Sequence, residues 1–262
     1  MRVKLLPIDE EQVIRKLYIA CRTCYSAGSP ITNYEKEFTA DAHNKEDMLK
    51  LINYVMSSGH TSILEDQTLT FLIEGVDRAL THQLVRHRAG VVFQQQSQRY
   101  VEFKDGNFNY VLPKAIEENS TAKLMVEELF EQISQVYAAL VNEEHLKAED
   151  ARCVLPNACC TNIVMTVNLR QLGHMCNERL CSTAQLPIRM LFKEITRQTV
   201  EVLPFMKNFL VPKCEMLGYC NEPRRTCGRK KLREEVLLNG VTNKQDYLAK
   251  KIFGMGTDDK NN

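Results

Sequence analysis

Apolar residues recur at helical spacing along several stretches of the chain and alternate along two others. Val13, Leu17, Ala20 and Cys21 share one face of a helix predicted over residues 9–25. Met48, Leu51, Ile52 and Val55 predict a second over 46–58, ended by Gly59. Leu69, Phe71 and Ile73 alternate with their neighbours, which predicts a strand from Thr68 to Glu74 that Gly75 breaks. Helical spacing returns over 77–87, and the polar run QQQSQRYVEF after it reads as a loop leading into a strand. The clearest helix spans 121–145. Met125, Leu129, Ile133, Val136 and Leu140 form its stripe, and Val126, Phe130, Tyr137 and Val141 widen it. Ile163, Met165 and Val167 alternate in a strand over 158–167, after which Asn168 caps a helix with Gln171 at its third position. A further helix starts near Ser182, capped by that hydroxyl, with Gln185 three residues on. It runs to about Val202; Pro187 moves its start inward or kinks it, and Leu203-Pro204 closes it. The pattern is α/β of the α+β type, a mixed sheet with long helices, and its strands are too few for a doubly wound sheet.

Composition narrows the function. The chain has 262 residues, with 34 Lys plus Arg against 33 Asp plus Glu, a net charge of +1. That balance argues against a protein that coats nucleic acid. No apolar run reaches the roughly 18–20 residues that span a bilayer, and the start, MRVKLLPIDEEQ, turns acidic too early for a signal peptide. Ten Cys without an export signal read as reduced thiols of a cytoplasmic protein. Cys21 and Cys24 form a CxxC pair, which reads as two small residues on a helix rather than a redox or metal pair. Cys214, Cys220 and Cys227 are one ligand short of a structural zinc site and have no His nearby, so no metal is expected. After Arg229 the chain is charged and sparse in apolar residues. Residues 1–229 are read as one domain and 230–262 as an extension whose end, GTDDKNN, is disordered. No GxGxxG follows a strand and no Gly-rich GK[ST] loop occurs, so neither common nucleotide cradle is present.

The chemistry concentrates between residues 82 and 100. Gln83, Arg86 and His87 share a face if the helix continues, with Arg88 at its end. In an extended strand Gln95, Ser97 and Arg99 point to one side, and Gln94, Gln96 and Gln98 to the other. Arginine forks match phosphate, and a Gln carboxamide both donates and accepts, which suits a uracil or flavin edge. The segment can therefore hold an anionic nucleotide; a solvated polar loop is the plain alternative.

Arg86-His87-Arg88, a spacer, then Ser97-Gln98-Arg99-Tyr100 resembles the signature of the flavin-dependent thymidylate synthases. Gly59-His60 through Glu65 is similar to the family's GHxxxxE segment, and Ala151-Arg152 through Pro156 to its ARxxLP segment. Val167-Asn168-Leu-Arg170, His174, Glu178-Arg179 and Ala184-Gln185 resemble its VNxR…LR block and the AQ after it. The matches run from about residue 20 to 228. Two departures stand out: the spacer from Ala89 to Gln96 is one residue longer than usual, and Asp66 stands where the family often has His. Many members also carry an acid where this chain has Gln95.

The resemblance implies reductive methylation of dUMP to dTMP. Methylenetetrahydrofolate gives the carbon, reduced FAD the hydride, and NADPH reduces the flavin. No Cys lies in the RHR…SQRY segment, in keeping with a reaction that needs no protein nucleophile. By the same resemblance, Arg179 activates the uracil ring, and Gln83, Arg86, Gln95, Ser97, Gln98, Arg99, Arg152 and Arg179 hold dUMP. Ser62, Glu65, Arg86, His87, Arg88, Gln95, Asn168, Arg170 and His174 hold FAD, with His60 on the flavin or folate side. Arg170 and His174, four apart, lie on one helix face. His43, His82 and His145 are read as structural or surface residues. The family fold is a homotetramer, which makes self-association the expected partnership beside the small-molecule substrates. The competing readings are a flavoprotein of the same fold acting on another pyrimidine nucleotide, and a nucleic-acid-binding module.

Overall fold

The computed structural model describes residues 1–38, 44–103 and 105–237. The expectations for His43 and for the GTDDKNN end fall outside the described residues. In chain order the elements begin with β1 (Arg2–Leu5), α1 (Glu10–Tyr25), α2 (Pro30–Phe38), α3 (Lys45–Ser57), β2 (Thr68–Asp77), α4 (Arg78–Leu84) and β3 (Val91–Gln95). There follow α5 (Lys114–Glu117), α6 (Ser120–Asn142), α7 (Ala148–Ala151), β4 (Cys160–Asn168), α8 (Leu169–Arg179), α9 (Leu186–Val202), α10 (Lys213–Leu217) and α11 (Arg233–Leu237). Among the described residues they fall into two compact units, one drawn from 1–4, 71–88 and 92–165 and the other from 5–70, 89–91 and 166–237.

The four strands lie in the order β1-β2-β4-β3. Their register is antiparallel throughout, which corrects the expectation of a mixed sheet. The Leu6 N–H donates to Thr70 O at 2.9 Å, and the Thr70 and Thr166 hydroxyls meet at 2.9 Å. Gln96 N–H donates to Asn162 O and Asn168 N–H to Gly90 O, both at 2.9 Å, so β3 runs against β4. β2 buries Leu69, Phe71 and Ile73 on one side as the alternation predicts, but Gly75 does not break it. Gly75 takes φ +66°, which a side chain would resist, and its N–H donates to the Asn162 carboxamide at 3.3 Å while the strand continues to Asp77. β3 takes in the first two residues of the polar run rather than following it, because Val91, Val92 and Phe93 are the strand formers there.

In the first unit, α6 packs on α7 and the turn after it. Phe108, Phe130 and Cys159 form a core against Phe103, Val126, Ile133 and Leu155. Tyr110 meets Phe130 edge-on with ring centres 4.8 Å apart. The predicted α6 stripe is split: Phe130 and Tyr137 are buried, yet Met125, Leu129 and Val136 stay 66, 51 and 49 % exposed. Its apolar arc is wider than this unit covers.

In the second unit, α1 packs on α3, and α8 packs on α9 and on the 3-10 turn Thr61–Asp66. Asp9, Asn44 and Asn168 cap α1, α3 and α8 through their side chains, each accepting a backbone N–H. α9 begins at Leu186 with Gln185 in the capping position, not at Ser182. Pro187 sits in the first turn, where its missing N–H costs nothing, so the start moves inward. Ser182 instead offers its carbonyl to Arg189 Nη1 at 2.7 Å. The segment past Arg229 folds back: Cys220 and Leu232 form a parallel bridge, and Lys230 pairs with Glu215 at 2.9 Å. Cys21 is buried on α1, which pushes its thiol up to about 12, while Cys24 is exposed.

Candidate active site

In the first unit, Asp77 accepts the Leu80 N–H at 2.6 Å and starts α4. The helix stops at Leu84, with Val85 N–H closing onto Thr81 O. Arg86 and His87 therefore lie beyond the helix and do not share a helical face with Gln83, as the spacing had suggested. His87 is buried; Arg86 and Arg88 are exposed and, among the described residues, have no side-chain partner. The strand reading of 95–99 also fails past Gln95. Residues 98–100 form a turn, in which Val101 N–H donates to Ser97 O and Arg99 N–H to Ser97 Oγ, both at 3.1 Å.

The fold brings part of the expected nucleotide set together. Gln95, Gln98 and Arg152 line one cavity of about 310 Å³, and Arg78 and His82 of α4 join them. Gln95 Nε2 is committed to the Thr81 and Thr161 hydroxyls at 3.1 and 3.3 Å, which leaves its carbonyl oxygen as the free end. Arg152 Nε donates to Glu149 O at 3.1 Å. Arg78 Nε is buried with no partner among the described residues, and its Nη2 reaches only Gln96 O at 3.5 Å. Burial first, and then the Arg152 charge, pull the Arg78 guanidinium below the ordinary arginine value; the nearby Cys159 works the other way. Among the described residues neither arginine forms an ion pair, so two cations share a cavity without a counter-ion. Gln83, Ser97 and Arg99 are not in its wall, and Arg99 is held by Glu149 through two contacts of 3.1 and 3.0 Å. Sequence reasoning missed Arg78 and set His82 aside. Their i, i+4 spacing was the available signal.

A thiol does approach this region. Gln98 Nε2 lies 3.6 Å from Cys159 Sγ. Burial pushes Cys159 up to about 11 and raises Cys160 too, so at neutral pH both are thiols rather than nucleophilic thiolates.

In the second unit, α8 turns Leu169, Leu172, Met175 and Cys176 inward and leaves Arg170 and His174 on its exposed face, as their spacing predicts. Arg170 Nη1 pairs with Glu65 Oε1, joining α8 to the 3-10 turn. Asn168 Oδ1 accepts Gln171 N–H at 2.8 Å. Gly90, at φ +64°, comes so close that a Cβ there would stand 2.4 Å from Asn168 Nδ2. This glycine turn opens β3 within the lengthened spacer. Ser62 and Asp66 are exposed, and the Asp66 carbonyl accepts Lys16 Nζ. His60 is exposed beside Tyr25, ring centres 6.2 Å apart, and makes no capping bond with its side chain. Arg179 is the last residue of α8 and half-buried. Burial lowers its guanidinium from the ordinary value against the opposing pull of Glu178.

Residues 8–205 match the thymidylate synthase complementing protein family. The flavin-dependent thymidylate synthase of Nitratidesulfovibrio vulgaris is 41% identical over 243 residues, covering 90% of this chain and 97% of that relative. That of Geobacter sulfurreducens is 38% identical over 211 residues, covering 80% and 87%. The crystal structure of the UMP/dUMP methylase PolB from Streptomyces cacaoi, bound with 5-Br dUMP, superposes with a TM-score of 0.63 at 20% identity, over 79% of this chain and 93% of that one. That likeness speaks to the fold. The family match over most of the chain, with the relatives' identity along nearly their whole length, makes this chain a member of the flavin-dependent thymidylate synthase family.

Proposed function

We propose that this enzyme methylates dUMP to dTMP, with methylenetetrahydrofolate as carbon donor, reduced FAD as hydride carrier and NADPH as reductant. The observation that carries the substrate class is the cavity of the first unit. Arg78 and Arg152 lack a counter-ion there, while Gln95 and Gln98 offer carboxamides. A phosphate monoester supplies the missing dianion, and a uracil edge pairs with carboxamides. Gln83, Arg86, Ser97 and Arg99 complete the proposed dUMP set. Arg99 exchanges its Glu149 partner for the nucleotide, as an exposed ion pair can do at little cost. Arg179 stands at the uracil, where its fixed charge stabilises the negative charge that builds on the ring during transfer at C5. Burial holds Cys159 and Cys160 toward the thiol form, in keeping with a route that uses no protein nucleophile.

The donor set fits FAD. A dinucleotide pyrophosphate calls for cations and N–H donors, and the unpartnered Arg86 and Arg88 are such cations. On α8, Arg170 and His174 share the exposed face, with Glu65 fixing the arginine and Asn168 at the helix start. Ser62, His87 and Gln95 complete the proposed FAD set. When bound, FAD supplies the redox chemistry that side chains lack. His60, exposed and without a capping bond, is free to turn toward flavin or folate.

The exposed Met125, Leu129 and Val136 on α6 support self-association, proposed as a homotetramer. The near-neutral charge supports small molecules rather than nucleic acid as partners, and no described helix is long and apolar enough to cross a membrane. A cytoplasmic setting suits ten cysteines proposed to stay reduced. Chromatography after mixing the chain with dUMP, methylenetetrahydrofolate, FAD and NADPH tests the reading. dTMP is the expected product. Methylation of UMP in place of dUMP would redirect the assignment to another pyrimidine nucleotide.

A further inference from the structure

The thymidylate reaction leaves the cysteines near the C-terminal end without a role. Spacing alone gives three of them, Cys214, Cys220 and Cys227, and no fourth ligand. The fold supplies one. Cys181, two residues past α8, lines the same cavity of about 120 Å³ within the second unit as those three. The four thiols come from separate stretches: the loop after α8, the start of α10, the bridge to Leu232, and the turn before Gly228. Cys181 and Cys220 both lie close enough to Cys214 to act on it electrostatically.

Two further features suit bound sulfur. Glu222 N–H donates to Cys220 Sγ at 3.4 Å from two residues on. Backbone N–H groups aimed at sulfur in this way stabilise a metal-bound thiolate. The wall also carries four basic and two acidic side chains, leaving it net positive, and no histidine. Four thiolates on a divalent ion form a unit of charge about −2, which a net-positive wall offsets. A donor set of sulfur alone selects a soft, tetrahedral ion over magnesium or calcium. Among the described residues no group of three or more Cys, His, Asp or Glu stands at ligation spacing, so an ion would draw the sulfurs inward as it binds.

We propose that Cys181, Cys214, Cys220 and Cys227 form a four-thiolate zinc site that fastens the segment from α10 to Leu232 against the loop after α8. Binding is an exchange of protons for metal: four thiols give up four protons to solvent and form four sulfur–zinc bonds, with no change in oxidation state. The inference is independent of the nucleotide reading, and its test needs no turnover.

The full-length chain, purified under reducing conditions, is analysed for zinc. It is then stripped with a chelator and titrated with Co²⁺. One zinc per chain is expected, and Co²⁺ should give the visible bands and sulfur-to-cobalt charge transfer of a tetrahedral thiolate site. Cys220→Ser and Cys227→Ser should lose most of the zinc, while Cys24→Ser, altered at an exposed thiol on α1, keeps it. Should the serine variants misfold, the cobalt spectrum of the unaltered chain still decides. A reduced chain that holds no zinc and gives no cobalt–thiolate bands overturns the proposal. So does zinc that persists in all four single Cys→Ser variants, or a reduced chain that ignores Co²⁺ and instead closes disulfides among these cysteines in air.

Discussion

The cavity of the first unit and the α8 face of the second hold their arginines differently. In the first, Arg78 and Arg152 share a cavity with no carboxylate pairing either, and Arg78 is partly stripped of water. In the second, Arg170 is already paired with Glu65, on an exposed helix face. A partly desolvated cation without a partner is costly, so the burial of Arg78 favours an anion beside it. An exposed paired cation costs little and mainly holds a geometry. Under the proposed function, the contrast separates side chains that provide binding charge from those that orient a donor.

The contrast can be broken by substitution. The largest effect is expected at Arg179. Arg179→Ala should lower dTMP formation about 10²–10³-fold, as when one preorganised donor is removed, while the flavin absorbance spectrum stays that of the unaltered enzyme. Arg179→Lys should recover little, because an ammonium lacks the planar fork. Turnover near that of the unaltered enzyme removes this residue from the chemistry. Next come Arg78→Ala and Arg152→Ala, each losing charge-assisted bonds worth about 1.5–3 kcal/mol. Steady-state kinetics should show KM for dUMP rising roughly 10- to 100-fold, with kcat changing less. Glu65→Gln should matter least to the chemistry. An exposed ion pair is worth about 0.2–1 kcal/mol, so FAD affinity measured by fluorescence should fall no more than about fivefold. A loss as large as that of the cavity arginines would erase the distinction between the two sets. On α6, Leu129→Lys should lower the sedimenting mass, since this side chain lies outside its own unit's core and, in the proposed assembly, against a neighbouring chain.

Much of the framework was legible in the sequence where local signals agreed. α1, α3 and α8 carry a capping Asp or Asn and an amphipathic stripe; α1 and α3 form within a residue of their predicted bounds, and α8 starts where Asn168 was expected to cap it. Tertiary pairing decided the rest. Gly75 looks like a terminator by propensity, but the Asn162 carboxamide catches its N–H and the strand goes on. The α4 pattern is helical through His87, yet the helix closes at Leu84. On α6 periodicity shows which residues are apolar, and cannot say which half of a wide stripe its own unit covers. In the candidate site, Arg170 and His174 followed from spacing. The meeting of Arg78 with Arg152, and of Cys181 with Cys214, Cys220 and Cys227, joins residues far apart in the chain that only the fold brings to one wall.

Under the proposed function, the cavity of the first unit takes the phosphate of a nucleoside monophosphate. Calorimetric titration of the FAD-loaded enzyme with dUMP and with deoxyuridine, which differ only in that phosphate, tests it most directly. dUMP should bind at least tenfold more tightly, since charged hydrogen bonds contribute about 1.5–3 kcal/mol, and the advantage should shrink in Arg152→Ala. Equal affinity for the two ligands, or a dUMP advantage untouched in both Arg78→Ala and Arg152→Ala, would contradict it.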